Sequence, residues 1–177
     1  MDLTSSKALK LLQNIHSLDK INKLVLPVNE SHKNEEAYEF VEVADYYSHI
    51  YEECVAILLE LAVIMRREAE KLALCGLSIN AKVKFSNVGK YKDSAIDVSF
   101  YDTLSKIIHS TQIDYEVQSP KGQIAVGYEL GKNCKFTGSA IIHSTEKDNI
   151  TPCIIKIDIS KFCVNVFMLT AEEYSML

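Results

Sequence analysis

Between Glu35 and Cys75 the chain carries one helical pattern that no proline or glycine interrupts. Phe40, Ala44, Tyr47, Tyr51, Cys54, Leu58, Leu61, Met65 and Leu72 mark an apolar stripe. Most of its steps alternate four and three, as in a heptad repeat. A helix of about 40 residues is about 60 Å long at 1.5 Å per residue. A globule of 177 residues is only about 40 Å across by size scaling. The run is therefore either two helices broken near Ser48, or one helix that projects and needs a cover for its stripe. Gly76 suits the position just past its end.

After Gly76 the apolar period falls from 3.6 to 2, which marks strands. Leu77 to Phe85 alternates, and Ile96, Val98 and Phe100 follow, then Ile113, Tyr115 and Val117. Further runs cover Ile124 to Leu130, Cys134 to His143 with Gly138 as a bulge, Cys153 to Ile159, and Phe162 to Met168. Ser119-Pro120-Lys121-Gly122 and Gly131-Lys132-Asn133 read as turns. Thr170-Ala171-Glu172-Glu173 reads as a capping box opening a short terminal helix. Ser5 to Leu18 has helical spacing. Helices first and about seven short-linked strands second predict an α+β fold: a mainly antiparallel sheet with one face covered by the N-terminal helices. One domain spans 1–177, helical over 1–76 and β-rich over 77–177, because a one-faced sheet needs those helices for its core.

The five cysteines are odd in number and form no CxxC pair. They read as reduced, buried thiols of a cytoplasmic protein, and no cofactor or metal is expected. The N-terminus lacks secretory-signal features, and the longest apolar run, Cys54 to Met65, is too short to cross a membrane. Net charge is −5, and only two arginines occur, Arg66 and Arg67. Direct nucleic-acid binding is therefore not expected.

The charge is local. Nine acidic residues and one basic residue lie between Glu30 and Glu60, a net of −8. On a helix, Glu35, Glu39, Glu42, Glu53 and Glu60 fall within about 60° of one another, with His49 among them and Asp45 and Glu52 beside them. Such a stripe is either a solvated face or a surface for a basic partner, whose approach opposed charge would accelerate. Tyr38, Tyr46, Tyr47 and Tyr51 lie on the same helix and suit either a core or an interface. The spacing Glu42, Asp45, His49, Glu52 or Glu53 also admits a metal. A di-metal bundle site would need two Glu-x-x-His pairs, and this helix has one histidine.

Two other constellations carry chemistry. Ile107-Ile108-His109-Ser110-Thr111 recurs as Ile141-Ile142-His143-Ser144-Thr145. Its H-x-T core resembles the paired motif of the two-histidine phosphoesterases, which implies a phosphodiester hydrolase using His109, Thr111, His143 and Thr145. Positions around each threonine that are apolar in that family are here Ser110, Gln112, Ser144 and Glu146. In a simple meander, strands 113–118 and 134–143 flank strand 123–130, so His109 and His143 lie roughly 30 Å apart. Asp97, Glu116 and Lys121 loosely resemble the PD-(D/E)xK nuclease pattern, with Gln118 at the usual Lys position.

The expectation is a non-enzymatic protein-binding module, an inhibitor or immunity-type protein of a bacterium or phage. Glu35, Glu39, Glu42, Asp45, His49, Glu52, Glu53 and Glu60 would meet the basic partner. The alternatives are a phosphodiester hydrolase built on either constellation, and a structural subunit dimerising through the helix stripe.

Overall fold

The computed structural model describes residues 3–24, 35–74, 84, 86–92, 94, 96–118, 124–126, 135–145 and 151–175; for 19–24, 35–47, 124–126, 135 and 172–175 it describes the backbone alone. Helices α1 (Leu3–Leu24) and α2 (Glu35–Leu74) come first. Strands β1 (Asn87–Tyr91) and β2 (Asp97–Ser99) lead into α3 (Phe100–Ile108). Strands β3 (Gln112–Gln118), β4 (Ile124–Val126), β5 (Lys135–Thr145) and β6 (Pro152–Asp158) follow, and α4 (Ile159–Ser175) comes last. The fold is α+β.

The six strands form one sheet in the order β2-β1-β6-β5-β3-β4. Every described pairing is antiparallel. The sheet is three hairpins, and the last in sequence, β5–β6, lies in the middle. The expected meander is thereby corrected. β3 pairs directly with β5 as well as with β4, so the start of β3 meets the end of β5. The bulge expected at Gly138 is present. The β3–β5 register shifts between Tyr115 and Val117, and Gly138 has φ +77°.

α2 is one unbroken helix of 40 residues. Its stripe needs no second chain between Ile50 and Ala69, where Ile50, Tyr51, Cys54, Leu58, Leu61, Met65 and Ala69 are buried. They share one core with Ala8, Leu11 and Leu18 of α1, the inward residues of the sheet, and Phe162 and Val166 of α4. Tyr51 meets Tyr115 edge-on at 5.2 Å, and Phe100 meets Phe162 at 5.4 Å. Such aromatic contacts add about 0.5–1.5 kcal/mol each beyond buried area.

Two elements differ from the expectation. Phe100 opens α3 instead of continuing a strand. Ser99 caps that helix: its hydroxyl accepts from the Asp102 N–H at 3.1 Å and donates to the Asp102 carboxylate at 2.6 Å. Residues 162–168 are helix, not a seventh strand, and Thr170 lies inside this helix, its hydroxyl donating to the Val166 carbonyl, instead of capping a separate short terminal helix. The buried residues Ile159, Phe162, Cys163, Val166 and Leu169 follow helical spacing, while Val164 and Met168 are exposed. The alternating apolar residues Phe162, Val164, Val166 and Met168 imitate a strand, whereas the Asp158 carboxylate accepts the Lys161 N–H and starts a helix. The expected strand over 77–85 lies outside the described residues except at Lys84, whose backbone is helical.

Candidate functional site

α1 runs antiparallel to α2, and its lysines reach the acidic stripe. Lys7 pairs with Glu60 at 2.6 Å and Lys10 with Glu53 at 2.5 Å. Asn14 donates to the other Glu53 oxygen at 2.7 Å. The Lys10 hydrogen bond, with Asn14 next, holds the Glu53 carboxyl below its usual range. Two acids of the stripe therefore join α1 to α2. His49 and Glu52 are exposed, and among the described residues no hydrogen bond or ion pair engages them. The backbone at 35, 39, 42 and 45 belongs to α2, but the side chains of Glu35, Glu39, Glu42 and Asp45 lie outside the described residues. No group of three or more possible metal ligands occurs among the described residues.

The two IIHST copies lie side by side, contrary to the expected separation of roughly 30 Å. The Thr111 N–H donates to the His143 carbonyl at 2.8 Å, and the Ser144 hydroxyl donates to the His109 carbonyl at 3.2 Å. The backbones meet, but the contact to His109 is made at its carbonyl, and no hydrogen bond or ion pair among the described residues joins the two imidazoles. Ser144 is buried on the core side and holds His109, the cap residue of α3. His143 is next in the strand, so it projects the other way. There its Nε2 lies 3.4 Å from Asp114 Oδ2. Thr145 shares the His143 face by alternation, while Thr111 is spent on the His143 carbonyl.

Asp97 and Glu116 do not converge. Asp97 is exposed on edge strand β2, 3.9 Å from Lys90. Four strand spacings separate β2 from β3, about 19 Å in all. Lys121 lies outside the described residues. Glu116 has a different lysine. Lys156 of β6 donates to both its oxygens, at 2.8 and 2.6 Å, and Thr137 donates at 2.8 Å. With Glu116 only 4% exposed, these donors replace the water that burial removes.

Asp114 is the residue that sequence reasoning missed. It is buried on the sheet face turned away from the core. Gln112 donates to its Oδ2 at 2.7 Å, and Tyr51 reaches its Oδ1 at 3.3 Å from α2. The available signal was a carboxylate between Ile113 and Tyr115 on an alternating strand, with Gln112 and Glu116 two residues away on either side. Nothing in that pattern reveals that His143 is a cross-strand neighbour. Burial pushes Cys54 and Cys163 up to about 12, so both stay protonated thiols.

No helix among the described residues is long and apolar enough to cross a membrane. The chain matches no protein-family model, no curated protein and no solved structure.

Proposed function

We propose that the chain is a non-enzymatic protein-binding module, of inhibitor or immunity type, that engages a basic partner through the exposed side of α2. The reading rests on one observation: α2 buries its apolar stripe between Ile50 and Ala69 within the chain while presenting His49 and Glu52 to solvent. Helical register continues that side to positions 42 and 45. Glu53 and Glu60 have a second duty, since they hold Lys10 and Lys7 of α1. The charge we assign to the partner contact is that of Glu52, with Glu35, Glu39, Glu42 and Asp45 included from their positions along α2 in the sequence.

Affinity capture from the native host, read by mass spectrometry, should return a stoichiometric basic protein. The triple variant Glu42→Lys, Asp45→Lys and Glu52→Lys should then weaken binding by about 100-fold or more, with the far-ultraviolet dichroism unchanged. Unchanged affinity in that variant overturns the proposal. Glu53 and Glu60 are left intact so that loss of binding is not confused with loosening of α1.

The phosphodiester-hydrolase reading has less to support it. The paired H-x-T copies meet through backbone carbonyls, His143 pairs with Asp114 and not with His109, and Asp97 lies four strands from Glu116. A dimer through the helix stripe has no free apolar seam between Ile50 and Ala69.

A further inference from the structure

We draw no further inference here: the strongest candidate, the Asp114–His143 side-chain pair on the sheet face turned away from the core, carries nothing because no structural observation identifies a nucleophile, ligand or substrate on which its imidazole would act.

Discussion

The hydroxyl of Tyr51 accepts a hydrogen bond from the backbone N–H of Tyr115 at 3.2 Å. Among the described residues, β4 pairs with β3 at 116–118. The helix side chain thus meets β3 just before that pairing. The Tyr51 proton faces the Asp114 carboxylate at 3.3 Å and the Ile113 carbonyl at 3.5 Å. One side chain of α2 therefore satisfies a buried backbone donor of β3.

Replacing Tyr51 by Phe keeps the ring contact but orphans the Tyr115 N–H. A stranded buried donor costs about 1–3 kcal/mol, so the urea midpoint should fall accordingly. Amide exchange at Tyr115 should accelerate in the same variant. Tyr115→Phe is the control. The Tyr115 hydroxyl is buried without a hydrogen-bond partner among the described residues, and burial holds it well above its ordinary range. Its removal should be neutral or stabilising by up to about 1 kcal/mol. A loss as large as that of Tyr51→Phe would mean that the hydroxyl has a partner.

Lys156→Met should destabilise the sheet by leaving the Glu116 carboxylate buried with one donor. A fully buried pair broken on one side loses about 3–5 kcal/mol. Lys156 is 42% exposed, so screening lowers the expected loss to about 2 kcal/mol. Adding Glu116→Gln should recover part of that loss. A double variant less stable than Lys156→Met alone would contradict this account.

The two described glycines should respond differently to alanine. At Gly89 a Cβ would stand 2.1 Å from the Lys156 carbonyl oxygen, so β1 and β6 cannot keep their spacing. At Gly138 nothing lies within 4 Å of the new carbon, and the cost is backbone strain at positive φ, about 1–2 kcal/mol. Gly89→Ala should therefore lower the thermal midpoint more than Gly138→Ala does. The reverse order would show that the β3–β5 bulge matters more than the β1–β6 approach.

Acid should loosen the α1–α2 seam through Glu53. Its carboxyl is held below the ordinary value of 4.5, chiefly by Lys10. A lowered carboxylate contributes stability that is fully present above the unfolded value. That contribution is lost as pH falls through the folded value. Glu53→Gln should lower the thermal midpoint near neutrality, and the gap to the parent should close as pH falls below about 4.5. A gap that stays constant into acid would remove Glu53 from the acid response.

Local grammar was readable wherever one residue decided one element. The absence of Gly and Pro marked 35–75 as helical but left one helix or two open, Gly138 foretold the bulge, and the change of period at Gly76 foretold α+β. Ser99 and Asp102 carried a cap signal that α3 obeys, but the apolar rhythm of Ile96, Val98 and Phe100 concealed it. Residues 162–168 satisfied both periods, and only packing against the core chose between them. Long-range pairing was not readable. Lys7 and Lys10 look like ordinary helix lysines until α1 lies along α2. Asp114, His143, Glu116 and Lys156 come from three strands whose order no local spacing encodes.

The sheet order also bears on how the molecule assembles. The β1–β2 and β3–β4 hairpins share no edge, and only β5–β6 joins them. A growing chain that has reached residue 126 holds two unconnected β units beside an unfinished core. The bridge that unites them is made last, from distant contacts, and such topologies fold slowly because loop closure must precede its reward. Nearly the whole β half must leave the ribosome before the sheet is continuous, so α2 must keep its apolar stripe in solution longer than its own folding time requires.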